Sequence, residues 1–143
     1  TAIMTWLYRD EIYDPKEVDP KEVYAFVYEI EDLDTGRLYI GKKVMFFKGF
    51  KSVKKKRKRI LKESDWREYY GSSDVLNEEV AKRGPSRFKR TILHFCPNKA
   101  VANYLEAMEQ FKFNAILDDR YYNEQIRVRV TRSQLKALKD SPL

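Results

Sequence analysis

The stretch from Tyr24 to Lys43 constrains the fold of this chain more than any other, because it has the pattern of a β-hairpin. Large apolar side chains recur at every second position from Tyr24 to Ile30, which is the period of a pleated strand. A turn rich in Asp, Thr and Gly follows, and Gly36 accepts the positive φ that such turns require. The returning strand begins at Arg37 and is expected to end at Gly41.

Two tyrosines, Tyr28 and Tyr39, lie near matching points of these two strands. Side chains of cross-strand neighbours approach closely, so we expect the two rings to lie near each other. Lys42 and Lys43 follow the second tyrosine directly. The hairpin therefore predicts a polar, cationic site on a rigid support.

The remaining sequence predicts helices packed against a small sheet. Ser73 or Ser72 is expected to cap a helix over 74–83, and Asn98 a long helix from 99 to about 117. Ser64 is expected to cap a short helix, and residues 88–95 alternate as a third strand. This order of elements predicts an α+β fold, with a small three-stranded antiparallel sheet flanked by helices.

Both ends of the chain are predicted to lie outside that unit. Residues 1–23 are expected to form an N-terminal arm that packs its aromatic side chains onto the domain or onto a second subunit. Residues 24–123 form the domain itself. The C-terminal extension, 124–143, is expected to contain an edge strand over 126–130 and a weak helix capped by Thr131.

The charge of the chain favours nucleic acid as a partner. The 143 residues carry a formal net charge of +7, and eight of the twelve residues over 51–62 are basic. Such a run repels itself, so we expect a mobile loop that wraps phosphates, although a solvated loop or a nuclear-localisation signal has the same composition. The residues expected to bind DNA are Lys42, Lys54, Lys55, Lys56, Arg57, Lys58 and Arg59.

Composition also restricts the metal chemistry that is available. One cysteine, Cys96, and one histidine, His94, exclude a Cys-based or His-rich metal site. A metal would therefore be a hard cation held by oxygen, Mg²⁺ or Mn²⁺. No apolar run approaches 18 residues and no signal peptide is evident, so we expect a cytoplasmic protein.

The hairpin carries a resemblance to a known family. Phe26-Val27-Tyr28, ten further residues and then Tyr39-Ile40-Gly41 resemble the paired motif of the GIY-YIG nuclease superfamily. The second half matches to the letter, whereas in the first half Phe26 and Val27 stand where Gly and Ile are usual. Residues 66–73 and the basic run before them are similar to a phage-type and restriction-like subset, which implies a bacterial or phage-infected cell.

The resemblance implies a metal-dependent DNA endonuclease that leaves 5′-phosphate and 3′-hydroxyl ends. One of Tyr28 and Tyr39 would activate or position water and the other would orient it. A carboxylate on the long helix would bind the metal. Glu109 is the predicted ligand, because it lies at the margin of the apolar face, whereas Glu106 is expected to point away from it.

The same resemblance implies cations at the scissile phosphate. Arg67 is the expected catalytic arginine, with Arg57 and Arg59 as alternatives, and Lys42 or Lys43 would assist it. His94 is expected to be structural. Cys96 is expected to be inert, since nothing arranges the partners of a thiol nucleophile.

Two other functions remain open from the sequence. The altered start of the motif and the basic run also fit a nucleic-acid-binding module without catalysis. An aromatic arm fits a protein-interaction domain. Cleavage of both strands with one site per chain is simplest for a homodimer, which is the oligomeric state that we expect.

Overall fold

The computed structural model describes residues 5–140, and its centre is a five-stranded mixed sheet with the strand order β2-β1-β7-β3-β4. Its strands are β1 (Trp6–Tyr8), β2 (Glu11–Tyr13), β3 (Ala25–Asp32), β4 (Leu38–Val44) and β7 (Phe88–Cys96). The antiparallel trio β7-β3-β4 is the sheet expected from the sequence. The α+β class is confirmed, but the sheet has five strands rather than three.

The helices begin where capping residues were expected. Helix α1 (Asp74–Arg83) is capped by the Ser73 hydroxyl, and α2 (Lys99–Lys112) by the Asn98 side chain. Three short 3-10 helices (Trp66–Glu68, Pro85–Arg87, Ser133–Leu135) and α3 (Lys136–Asp140) complete the set. Within residues 5–140, no helix is both long and apolar enough to cross a bilayer.

Strand β3 separates two hydrophobic cores, because alternate side chains point to opposite faces of a sheet. Phe26, Tyr28 and Ile30 belong to one core, which α1 covers. Ala25 and Val27 belong to the other, which α2 covers. The sheet is therefore the middle layer of three.

The N-terminal segment is part of this architecture. Strand β1 lies parallel to β7, and the Trp6 side chain is 1% exposed in the first core. Its indole Nε1 donates to the carbonyl of Trp66 at 2.7 Å, and its ring meets Phe26 edge-on at 4.9 Å between centroids. The aromatic residues expected of an arm thus pack into the domain itself.

The expectation of a mobile basic loop is wrong. Its residues form a separate antiparallel β-hairpin, β5 (Phe46–Val53) and β6 (Lys56–Glu63), with continuous pairing from Phe46↔Glu63 to Val53↔Lys56. Successive side chains of a strand point to opposite faces, so the charged groups are divided between two solvated faces. Their mutual repulsion therefore does not prevent strand pairing.

Several boundaries also differ from expectation. Helix α2 ends at Lys112 rather than near residue 117, since Asn114 takes a left-handed conformation with φ 54°. Strand β4 continues past Gly41 to Val44. Ser64 caps no helix; its hydroxyl donates to the Val44 carbonyl.

The predicted edge strand over 126–130 is absent from the described residues. The outer edge of β4 is already occupied: the Leu38 amide donates to the Arg120 carbonyl, and the Tyr122 amide donates to the Leu38 carbonyl. Thr131 does not cap the short C-terminal helices, whose first cap position is Arg132.

An ion pair between a buried carboxylate and a partly exposed guanidinium joins the β3–β4 turn to the end of α1. Asp32 is fully buried and accepts hydrogen bonds from the Arg83 guanidinium, from the Tyr122 hydroxyl at 3.1 Å and from the Asp34 amide at 3.0 Å. The Arg83 guanidinium holds the pKa of the Asp32 carboxyl well below its usual range. Asp32 therefore links the β3–β4 turn to the end of α1 and to the segment that contains Tyr122.

We predict that Asp32→Asn lowers the free energy of unfolding at pH 7 by about 2 kcal/mol, because the buried side chain loses the negative charge that accepts hydrogen bonds from Arg83 and Tyr122. The pKa is lower in the folded than in the unfolded protein, so this stabilisation is present above the unfolded value of about 3.9 and is lost as pH falls below it. Urea unfolding of both proteins between pH 3 and 7 measures this.

Asp34→Asn is the matched control, since this exposed carboxylate pairs with both Arg83 and Arg87 at the surface. A loss as large as that of Asp32→Asn would show that burial does not decide the effect.

Candidate active site

A polar cleft of about 430 Å³ opens at the β4 edge of the sheet. It lies between β4, the N-terminus of α1, the middle of α2 and the segment after Tyr121. Its lining consists of Tyr39, Lys42, Ser72, Ser73, Asp74, Val75, Glu106, Gln110, Tyr122, Asn123, Glu124, Gln125 and Arg127. Some of the predicted site residues meet here, and others do not.

The structure brings the two motif tyrosines together. The ring centroids of Tyr28 and Tyr39 lie 6.2 Å apart with planes tilted by 36°. The Tyr28 side chain is fully buried, and its hydroxyl has no hydrogen-bond partner among the described residues. Burial raises the pKa of the Tyr28 phenol well above its usual value. The Tyr28 side chain therefore packs in the core and has no access to solvent.

Gly41 makes the close approach of the two rings possible. Tyr28 pairs with Gly41 across the strands, and its ring lies over the glycine. A Cβ at this position would lie 2.7 Å from Tyr28 Cζ and 3.0 Å from Tyr39 Cε2, and closer still to the Tyr28 hydroxyl. The Tyr28 ring is buried in the core and the Tyr39 ring packs against that core, so a side chain at residue 41 has no room.

Tyr39 is the phenol that faces the cleft. Its hydroxyl lies 2.8 Å from the Ser72 Oγ, directly before the capping residue of α1. Burial of the ring raises the pKa of Tyr39, and the Ser72 hydrogen bond opposes this in part. The Ser72 contact fixes the phenol at the cleft wall.

Glu106 is the α2 carboxylate in the cleft. Its Oε1 lies 3.3 Å from the Lys42 Nζ, and its side chain is only 12% exposed. Burial raises the pKa of Glu106, while the Lys42 ammonium opposes the shift. Glu106 was expected to point away from the apolar face of the helix, yet it is not left in solvent, because Lys42 on β4 lies beside it.

Glu109 is buried elsewhere. It is 5% exposed, and its Oε1 lies 2.9 Å from the His94 Nε2 on β7. It does not line the cleft that contains Tyr39. The single turn of α2 that separates Glu106 from Glu109 thus directs one carboxylate to the sheet edge and the other beneath the sheet.

Two amides hold the middle of β4. Asn123 accepts from the Ile40 amide at 3.0 Å and donates to the Ile40 carbonyl at 2.7 Å, and Gln110 donates to that carbonyl at 3.0 Å. All three residues are buried. We call this arrangement the Ile40 clamp. It provides hydrogen-bond partners for the Ile40 N–H and C=O groups, which point away from β3, and so fixes the position of the neighbouring Tyr39.

The predicted cations are dispersed. Lys42 reaches the cleft, whereas Lys43 points to the opposite face, with its Nζ 2.7 Å from Asp65 and over the Tyr69 ring. Arg67 pairs with Asp14 and Glu63 and does not line the cleft.

Arg57 and Arg59 lie on the β5–β6 hairpin and also do not line the cleft. Arg127 does line it, and sequence reasoning missed that residue. No sequence signal marked Arg127 beyond its place four residues after Asn123, which also lines the cleft.

The donor groups of the cleft suit a hard cation held mainly by water. Within residues 5–140, no three His, Cys, Asp or Glu side chains are grouped closely enough to hold a metal ion. The cleft instead offers separate carboxylates, those of Asp74, Glu106 and Glu124. Mg²⁺ commonly keeps several waters and uses one or two carboxylates together with substrate phosphate oxygens. The residues present therefore fit Mg²⁺ or Mn²⁺.

The paired phenols over a strand glycine, on an antiparallel trio of strands with a helix carboxylate at its edge, define a domain of the GIY-YIG nuclease superfamily. The family model described as "Putative endonuclease segE, GIY-YIG domain" matches residues 6–126, and the chain therefore belongs to this family. No curated protein and no solved structure gave a significant match. The resemblance drawn from the hairpin is confirmed.

We predict that Gly41→Ala lowers the free energy of unfolding by about 1–3 kcal/mol, because the methyl group overpacks the buried Tyr28 ring. Adding Tyr28→Phe removes the atom nearest to that methyl group and restores part of the loss. Urea unfolding of the two single variants and the double variant measures the coupling.

Gly49→Ala is the matched control, because a Cβ there meets only the flexible Lys62 side chain. Equal losses for Gly41→Ala and Gly49→Ala would contradict the packing explanation.

Proposed function

We propose that this chain is a metal-dependent endonuclease that hydrolyses phosphodiester bonds in DNA and leaves 5′-phosphate and 3′-hydroxyl ends. Membership of a GIY-YIG endonuclease family supports nuclease activity. The observation that carries the proposal is the meeting of the Tyr39 phenol, the Glu106 carboxylate and the Lys42 ammonium in one cleft. Phosphoryl chemistry needs a positioned water, an anionic metal ligand and cations near the phosphate.

Glu106 is the proposed metal ligand, in place of Glu109. It faces the cleft, whereas the carboxylate of Glu109 is engaged by His94 beneath the sheet. A bound Mg²⁺ supplies Lewis-acid stabilisation of charge on the phosphate. Lys42 neutralises the Glu106 carboxylate in the free protein and is available to the phosphate once that pairing is exchanged.

Tyr39 is the proposed water-positioning residue. Its pKa is raised from an ordinary value near 10, so the phenol keeps its proton at neutral pH. Its oxygen therefore acts as a hydrogen-bonding group that orients the attacking water. The Ser72 contact and the Ile40 clamp hold the phenol, and pre-organised geometry of this kind reduces the entropy cost of reaction.

The cationic groups proposed to stabilise the phosphate are Lys42 and Arg127. Both line the cleft, while the charge of Arg67 is neutralised by Asp14 and Glu63. The guanidinium of Arg127 suits bidentate contact with phosphate oxygens. This assignment makes the C-terminal segment part of the catalytic unit. With one site per chain, cleavage of both strands would be simplest for a homodimer.

The alternative function is a DNA-binding module without cleavage, which the strongly basic β5–β6 hairpin supports. Incubation of the protein with supercoiled plasmid and Mg²⁺, with and without EDTA, separates the two. Nicked or linear product that disappears with EDTA supports the enzyme. A shifted but intact plasmid under both conditions supports the binding module.

We predict that Glu106→Gln lowers the cleavage rate at least about 100-fold and does not lower DNA affinity in EDTA, because it removes the metal ligand and releases Lys42 to bind phosphate. Glu109→Gln is the matched variant on the same helix, and it is expected to keep activity within about tenfold while lowering the melting temperature. Mn²⁺ titration followed by calorimetry provides a second measurement, in which only Glu106→Gln loses binding.

The reverse pattern, with Glu109→Gln inactive and Glu106→Gln active, would assign the metal to the residue chosen from the sequence.

We predict that Tyr39→Phe reduces cleavage about 100-fold or more, because it removes the oxygen that orients water. Tyr28→Phe is expected to retain activity, since its hydroxyl is buried and has no hydrogen-bond partner among the described residues. Single-turnover cleavage rates of both variants measure the difference. Equal losses would indicate that both phenols take part in the reaction.

A further inference from the structure

The β5–β6 hairpin, residues 46–63, carries nearly all of the protein's net charge. It contains nine basic residues and one acidic residue and so carries +8, whereas the chain as a whole carries +7. The other 125 residues together carry −1. Attraction to a polyanion is electrostatic and scales with the phosphates that are neutralised. The hairpin is therefore the element with the largest excess of positive charge for attracting a polyanion.

The hairpin is an ordered arm attached to the core at its base. Phe46 is buried, Gly49 and Ile60 are half-buried, and every other side chain of the hairpin is exposed. At the base, Met45 is fully buried and Ser64 donates to the Val44 carbonyl at 2.6 Å. Strands of eight residues extend roughly 26 Å. The arm thus projects a long, paired ribbon away from the domain.

Both faces of this ribbon are cationic. The pairing assigns each side chain to a face, since cross-strand partners lie on the same face. One face carries Lys48, Arg57 and Arg59 together with Phe50 and Leu61, and the other carries Lys51, Lys56, Lys58 and Lys62 together with Phe47 and Val53. A ribbon lying on a membrane would gather its apolar side chains on one side. Here they are divided between the faces, which suits a ligand that surrounds the ribbon.

The tip of the arm carries two more cations in an unfavourable backbone conformation. Lys54 and Lys55 have φ values of 51° and 63°. Two-residue hairpin turns of this kind favour Asn-Gly, because residues with a Cβ enter the left-handed region at an energetic cost. The chain places lysines there nonetheless, at the point that would enter a binding site first.

We infer that the β5–β6 hairpin inserts into the major groove of B-form DNA and is the main duplex-binding element of the protein, an inference that rests on the proposed function. The major groove, about 12 Å wide, admits a two-stranded ribbon. Cations on both faces then reach the phosphates on both walls, while exposed apolar side chains meet thymine methyl groups. The major groove of A-form RNA is too narrow for such a ribbon.

The first test is Lys54→Asn combined with Lys55→Gly, which removes two charges and gives the turn its preferred residues, so the hairpin stays folded. Binding of the full chain to a 24-base-pair DNA duplex is measured in EDTA at several NaCl concentrations. We expect the slope of log affinity against log salt to fall by about two and the affinity at low salt to drop at least about fivefold.

Lys136→Gln combined with Lys139→Gln is the matched control, since it removes two exposed charges on α3, which is remote in sequence from the arm. An unchanged slope in this control supports the inference. An equal change in both double variants, or no change in the hairpin variant, would overturn it.

The second test identifies the groove and the partner. Methyl green, which occupies the major groove, is expected to displace the protein, whereas netropsin, a minor-groove ligand, is not. An RNA duplex of the same sequence should bind more weakly and should not respond to the hairpin substitutions. Displacement by netropsin alone, equal RNA affinity, or hairpin-dependent binding to phosphatidylserine vesicles but not to DNA would overturn the inference.

Plasmid cleavage separates this inference from the proposed function. Wild-type protein that binds through the hairpin but never cleaves would overturn the nuclease and leave the groove-binding arm in place. Cleavage and affinity that are unaffected by the hairpin substitutions would leave the nuclease in place and overturn the arm.

Discussion

Burial of β3 on both of its faces is the constraint on which the rest of the structure depends. Each side chain from Ala25 to Tyr28 is fully buried, so each face of the strand requires its own covering layer. Helix α1 and the N-terminal aromatic residues supply one layer, and α2 supplies the other. The candidate active site lies where both layers meet the edge of the sheet, and neither layer alone would form it.

Local patterns in the sequence were sufficient for the elements whose signals are short-range. The β3–β4 hairpin, the caps of α1 and α2, and strand β7 all follow from alternation, turn residues and capping side chains. The parallel pairing of β1 with β7 did not follow, because it joins residues about 85 positions apart that have no pattern in common. The β5–β6 hairpin was missed because charged side chains occupy both faces of the hairpin. Its sequence therefore lacks the hydrophobic periodicity that indicates a strand.

The sequence predicted the types of residue at the site better than it predicted which residue lines the cleft. Helical periodicity identified Glu106 and Glu109 as candidates, yet it does not indicate which flank of a helix the last strand of a sheet will cover. Strand alternation already implied that Lys42 and Lys43 face opposite sides, and the structure shows which of the two reaches the cleft. Arg127 lies in a segment with no regular structure, so no periodic pattern of the sequence indicated that its side chain would line the cleft. Tertiary packing decided each of these cases.

The Ile40 clamp also determines how this sheet can grow. An exposed edge strand presents unpaired backbone groups and invites pairing with another chain. At β4 those groups are already bound by Asn123, Gln110, Arg120 and Tyr122. The opposite border of the five-stranded sheet is β2, whose three residues include no fully buried side chain. Any assembly that extends this sheet from one molecule to the next would therefore form at β2, on the far side from the candidate active site, and would leave that cleft open.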